Sequence, residues 1–342
     1  MQRNYRIDAL RILAAFMVIL IHISAGYWLE YPVTDIHWKT VNFYDSLCRP
    51  AVPLFLMISG MFLLRPEKKL DGKILWNKYC KRILLLYLVW AGFYATWRDV
   101  FWNLIRGREI FWDQVLLNFF RGHYHLWYLV MLFGIYLILP FLRKIAEDRK
   151  LLEYFLLLTL AMTVLFPMIR SEYLDAMKPN LYFYFTLGFP GYFLAGYYFS
   201  RYPLSGTWRR LLYLGGILGA FFTYYGTKLW SESVGTPADC YSPFLPNVVL
   251  MSIGLFLFFQ KETGTSRPFL AKWIPYIGST TLGVYLIHPF FLSLLEHINL
   301  MPASFSVPFL LSFPLFAAGI FLISMLAVLF LKKLPWIGKH LL

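Results

Sequence analysis

The chain has 342 residues, of which 59% are hydrophobic, 20% aromatic and 15% charged. A soluble domain of this length cannot hide that much apolar surface in one core, whereas separate apolar runs of about 18–25 residues match the hydrocarbon thickness of a bilayer. The net charge of +14 would suggest nucleic acid in a soluble protein; here it is read by location, since membrane proteins concentrate Lys and Arg in cytoplasmic segments, and no nucleic-acid partner is expected.

Ten apolar runs predict ten helical spans, at about 8–27, 47–64, 82–103, 125–143, 151–169, 182–200, 210–228, 244–260, 275–295 and 306–331. The expected fold class is all-α, a polytopic transmembrane helical bundle. It forms a single integral-membrane domain over residues 1–342, with no soluble accessory domain. The first run has no small-residue cleavage site after a short apolar core, so it reads as a retained span rather than a signal peptide. With the N-terminus in the cytoplasm, 23 of the 32 Lys and Arg fall in inner segments and 9 in outer ones. An even number of spans then leaves both termini cytoplasmic. Cys48, Cys80 and Cys240 show neither metal spacing nor a CxxC pair. A bridge between Cys48 and Cys240, both placed near the outer face, is one option; buried free thiols fit the odd count better, and no metal site is expected.

The first span, RIDALRILAAFMVILIHIS, carries Asp8 and Arg11 at one end and His22 deep inside. Eleven positions are close to three helical turns, so Arg11 and His22 share a face about 16 Å apart along the axis. Asp8, three residues before Arg11, can pair with it near the cytoplasmic interface. Arg11 can snorkel; His22 is short, and its span continues past it. An ionisable group at that depth marks a functional path by default, the alternative being a neutral His satisfied by one neighbouring hydroxyl or carbonyl.

Further along, Arg49 beside Pro50 at the outer end of the second span is either a grip for an anionic group or an interface anchor. In the same span Gly60 permits close helix approach and Ser59 can hydrogen-bond across helices, a packing role that fits better than acyl nucleophile. The inner stretch RPEKKLDGKILWNKYCKRILLLY reads as a positive-inside anchor. It also reads as a basic mouth for a multiply phosphorylated cofactor, with Lys78, Lys81 and Arg82 as the phosphate contacts. His125, Trp127 and Tyr128 enter the fourth span from outside, as part of an aromatic belt or as a sugar-facing cluster. Tyr285 and His288 lie in the outer half of the ninth span, where Pro289 is expected to kink it. They form a second polar wall of the cavity, or His288 is a satisfied core residue.

Taken in order, these segments resemble the acyltransferase family 3 membrane proteins. IDALRILAAFMVILIH is similar to the family's opening Asp, Arg, ten residues, His signature. RPAVPLFLMISGMFLL matches its Val-Pro…Ser-Gly pattern, and HLWYLVMLFGIYLILP its His-Leu-Trp-aromatic-Leu segment. LGFPGYFLAGYY and STTLGVYLIHPF fill the later positions. The similarity runs over nearly the whole chain.

The resemblance implies a stand-alone ten-span enzyme of the bacterial inner membrane. Such an enzyme moves an acyl group, usually acetyl or succinyl, from acyl-coenzyme A to a hydroxyl of a cell-surface glycan or lipid-linked sugar. Acetyl-coenzyme A is then the expected co-substrate, with no tightly bound cofactor, and O-acetylation of polysaccharide the expected modification. The matched positions make His22 and Arg11, with Asp8, the expected catalytic residues. Arg11 suits a phosphate with its planar fork, and His22 serves as general base, because imidazole titrates near neutral pH; a covalent acyl-His is the alternative chemistry. A transporter or exporter using the same polar cavity is the competing function. It would be expected to show broken helices at a central site.

Overall fold

The computed structural model of the protein describes residues 4–168, 187–260 and 268–341. Among these residues helix is the only regular element. In chain order the principal helices are α1 (Tyr5–Tyr27), α2 (Ile36–Cys48), α3 (Ala51–Leu63), α4 (Lys81–Ala95), α5 (Trp112–Arg121), α6 (Trp127–Leu137), α7 (Leu139–Glu147) and α8 (Arg149–Thr159). They continue as α9 (Phe189–Arg201), α10 (Gly206–Val234), α11 (Pro246–Gln260), α12 (Pro268–Gly278), α13 (Thr281–His297), α14 (Phe309–Leu331) and α15 (Pro335–His340).

Four stretches are long and apolar enough to cross a bilayer unaided: Tyr5–Tyr27, Ile36–Leu63, Arg149–Met168 and Phe309–Leu331. Two bent pairs bring the number to as many as six, and the protein is an integral membrane protein of helices. Each of the ten predicted runs meets a helix, with residue 169 of the fifth and residues 182–186 of the sixth lying outside the described residues. The runs that do not qualify alone have visible reasons. Helix α11 has 15 residues, α10 carries charge at both ends, and α4 is flanked by π-helical segments at Leu75–Cys80 and Thr96–Phe101.

Two expectations need correction. The segment before residue 47, predicted as a connection, contains helix α2. Asp35 caps it by accepting the His37 backbone N–H at 2.6 Å, and the polar residues mixed into its face hide the apolar run. The ninth predicted span bends by 57° between Gly278 and Thr281, whereas Pro289 sits inside α13. At the bend the hydroxyls of Ser279, Thr280 and Thr281 donate to the carbonyls of Tyr276, Ile277 and Gly278 at 2.7, 2.7 and 2.9 Å. These bonds add to the backbone bonds that close the end of α12, Ser279 N–H to Pro275 O at 3.1 Å and Thr280 N–H to Ile277 O at 2.9 Å, so the bend exposes little unpaired backbone.

The chain divides into two compact units. The larger, Met1–Pro66 with Leu142–Met325, is built around α1, which touches α2, α3, α11, α12 and α13. Its small and branched residues Leu10, Ala14 and Ile19 are fully buried. In the same unit α3 packs on α9 backbone to backbone. A Cβ added at Gly60 would lie 1.7 Å from the Phe193 carbonyl oxygen, and one at Gly196 would lie 2.0 Å from that of Met57. Membrane helices gain no hydrophobic drive from lipid, so contact this close is how they hold. The C-terminal end of α3 is closed by two cations, Arg65 Nε donating to Met61 O and an Arg143 terminal nitrogen to Leu63 O, both at 2.9 Å. The smaller unit, Glu67–Phe141 with Leu326–Leu342, packs α4 against α5 and α6.

Candidate active site

Helix α1 begins where the Asn4 side chain caps it, accepting from Arg6 N–H at 3.0 Å. The next turn carries the charged pair. Arg11 donates to Asp8 Oδ1 at 3.0 Å, with the Asp8 side chain 7% exposed and that of Arg11 28% exposed. A helix end distant in sequence packs against this carboxylate. Gly278, the last residue of α12, has room for a Cβ only 3.2 Å from Asp8 Cβ and 3.4 Å from Asp8 Oδ1. Gly278→Ala is therefore expected to push on the carboxylate and lower stability by about 1 kcal/mol. A thermal unfolding midpoint equal to that of the parent would show that the contact gives way without cost.

Three turns further on, His22 is half-buried and its ring stacks on that of His288. The centroids are 5.2 Å apart and the planes 20° from parallel. His288 is fully buried, and its Nδ1 lies 3.1 Å from the carbonyl oxygen of Val284. A carbonyl only accepts, so the neutral ring carries its proton on Nδ1 and its basic lone pair on Nε2. Tyr285, buried on the same helix, has its ring 6.3 Å from that of His288. Two residues 266 positions apart in sequence thus make one imidazole stack within the bundle. The ninth predicted span supplies the second wall of the His22 environment.

Other predicted residues are placed differently. The Ser59 hydroxyl donates to the Phe55 carbonyl one turn back at 2.8 Å, which commits its proton to its own helix, and the adjacent Gly60 makes the packing contact. Arg49 is paired within the fold: it donates to Asp45 Oδ2 and its guanidinium lies 3.8 Å from the centre of the Tyr241 ring. Asp45 carries no signal in the sequence beyond its spacing of four from Arg49. Cys48, Cys80 and Cys240 are all free thiols. Among the described residues no group of three or more His, Cys, Asp or Glu side chains converges in the manner of a metal site.

In the smaller unit, Lys78, Lys81 and Arg82 are exposed, Lys78 on the π-helical segment and the other two opening α4. Burial, together with the positive charge of Arg82, holds Lys332 below the ordinary lysine range, so two cations lie close on this unit. The fourth predicted span does not present its three aromatics as one face. His125 and Tyr128 are buried, while Trp127 is 45% exposed. Two residues unmarked in the sequence reading complete the group around His125. The Nδ1 of His123 lies 2.9 Å from that of His125, and the His123 ring stacks on Tyr94 with centroids 4.2 Å apart. Burial first, and Arg98 second, push His123 down to about 4. The repeated His in HYH was the available signal.

Neither a curated protein nor a solved structure matches the chain. A family model described as an acyltransferase domain matches residues 4–329. With that match running over nearly all of its length, the chain belongs to acyltransferase family 3, a family of membrane acyltransferases.

Proposed function

We propose that the protein moves an acyl group, acetyl in the first instance, from acyl-coenzyme A on the cytoplasmic side to a hydroxyl of a cell-surface glycan or lipid-linked sugar. His22 is the general base. The observation that carries this reading is the His22–His288 stack, three turns along α1 from the Asp8–Arg11 pair. His22 takes the proton of the acceptor hydroxyl as its oxygen attacks the thioester carbonyl. The new C–O bond forms, the C–S bond breaks, and the proton passes to the departing thiolate, leaving the imidazole neutral. His288, with its own tautomer fixed, holds the His22 ring in one orientation. Arg11 grips a phosphate of the donor, and its Asp8 partner sets the direction of the fork. On the smaller unit, Lys78, Lys81 and Arg82 are exposed cations suited to the phosphates of the donor. Tyr285 and His288, beside His22, serve the acceptor; His125, Trp127 and Tyr128 on the smaller unit are a separate candidate contact for sugar rings.

This reading takes the chain as a ten-span protein of the bacterial inner membrane with both termini cytoplasmic, supported by the bias of Lys and Arg toward one set of loops. The test is transfer of label from acetyl-coenzyme A to a glycan acceptor by the purified protein in nanodiscs. Arg11→Lys keeps the charge and loses the fork. Its apparent KM for the donor is expected to rise about tenfold, with kcat changed less; an unchanged KM would remove Arg11 from the donor site. One observation favours the second reading, a transporter or exporter of a modified glycan or small molecule. The broken helix at 278–281, lined with hydroxyls, is of the kind that surrounds transport sites. Movement of unmodified glycan across vesicles without acyl-coenzyme A would select it.

A further inference from the structure

Helix α2 buries a polar stripe that the mechanism above does not use. Trp38, Asn42, Asp45 and Arg49 recur at i, i+4, i+7 and i+11, which places them on one face of the helix. Asn42 and Asp45 are fully buried, and α2 packs with this side toward α1 and α10. Asn42 donates to Tyr224 O at 3.1 Å and its Oδ1 accepts from Ser46 and from Tyr241 at 3.0 and 2.6 Å. Arg49 spends one terminal nitrogen on Asp45 Oδ2. Three buried polar atoms of the stripe then remain without a partner: Asp45 Oδ1, Arg49 Nε and Trp38 Nε1. Packing alone does not account for them, because a buried acceptor and two buried donors left unmade cost more than apolar residues of the same shape.

The chemistry of a suitable ligand follows from what is left over. One carboxylate oxygen wants a donor and two N–H groups want acceptors, and a hydroxyl is both at once. Charge excludes an anion, since Asp45 and the nearby Asp239 oppose the single guanidinium of Arg49. The walls are flat and apolar. The ring of Trp28 lies 5.0 Å from that of Trp38 and 5.3 Å from that of Tyr241, and the Arg49 guanidinium lies 3.8 Å from the centre of the Tyr241 ring. Such rings suit the C–H faces of a pyranose while their polar tips bind hydroxyls.

Access comes from a rim that is not buried. Trp28 is half-buried, Asp239 is exposed and the Arg49 side chain is 23% exposed. Tyr241 covers the pair from the loop between α10 and α11. That loop is held by Thr227 Oγ1, which accepts from Cys240 N–H at 3.0 Å, and by Asn247, which donates to Cys240 O at 2.9 Å. Trp28 follows His22 by six residues, about 9 Å further along α1 on the side away from Arg11.

We propose that the Asp45–Arg49 pair, walled by Trp28, Trp38 and Tyr241, is a subsite for the hydroxyls of a neutral sugar. Its place in a reaction rests on the acyl-transfer reading, in which it holds the acceptor beyond His22; its capacity to bind does not.

The experiment titrates the full chain in nanodiscs with glucose, galactose, mannose, N-acetylglucosamine and maltose, read by tryptophan fluorescence and by the thermal midpoint. At least one sugar is expected to give a saturable change. Asp45→Asn is expected to weaken that binding at least tenfold. Trp28→Leu, a rim change that leaves the buried pair intact, is expected to weaken it several-fold and serves if Asp45→Asn does not fold. No saturable change with any of the five, or an affinity unaltered by Trp28→Leu, would overturn the proposal, as would tighter binding of glucose 6-phosphate than of glucose. Sugar binding that depends on Asp45 in a protein showing no transfer from acetyl-coenzyme A would uphold the subsite and remove the acyl-transfer reading. Transfer with sugar affinity indifferent to Asp45 and Trp28 would do the reverse.

Discussion

His22→Ala is expected to lower acyl transfer by about three orders of magnitude while the protein still inserts and unfolds at nearly the parental temperature. The size follows from the role, since removing a positioned general base typically costs about 10²–10⁴ in rate. Retained folding follows from the location. His22 is half-buried, its helix has no special backbone at that point, and the neighbouring turns hold α1 through Ile19 and Ile23, both buried. His288 is the informative companion. His288→Ala removes a fully buried ring, so it is expected to lower activity and stability together, whereas His22→Ala should separate them. Label transfer and a thermal melt on the same preparations measure both quantities. Full transfer by the His22 variant would end its assignment as base.

The largest effect on stability is expected at the contact of α3 with α9. An alanine at position 196 would put its Cβ 2.0 Å from Met57 O and 2.4 Å from Met57 Cα, and one at position 60 would lie 1.7 Å from Phe193 O. In both cases the obstructing atoms are backbone, which no rotamer change can move. Each substitution is expected to cost about 3 kcal/mol, the upper end of overpacking, seen as a marked fall in the melting midpoint or loss of folded protein from detergent extracts. Gly319→Ala is the control, because a Cβ there meets nothing within 4 Å. A midpoint in Gly196→Ala equal to that of the Gly319 control would mean that the two helices stand further apart.

Local features were legible in the sequence, and long-range ones were not. The apolar runs locate helices because a bilayer demands both length and hydrophobicity. The spacing of Asp8 and Arg11 implied a pair, and Gly60 a close approach, because both follow from the geometry of a single helix. Helix α2 escaped because Asn42, Asp45 and Arg49 break its apolar pattern, and α5 because it is short and carries charge at both ends. The break at Gly278 was masked by Pro289, which is the louder signal; the hydroxyl donors that stabilise it are spread over three ordinary residues. The stack of His22 on His288, and the cover of Tyr241 over Arg49, join residues far apart in the chain, and no periodicity encodes such meetings.

Backbone in contact with backbone leaves nothing to repack. Where Gly60 meets Phe193 and Gly196 meets Met57, no side chain lies between α3 and α9 that could change rotamer and let one helix slide on the other. The two move as one rigid strut. Any change of shape within the larger unit must be taken up elsewhere, and the 57° bend between Gly278 and Thr281, supplied with its own hydroxyls, is where a few torsions suffice.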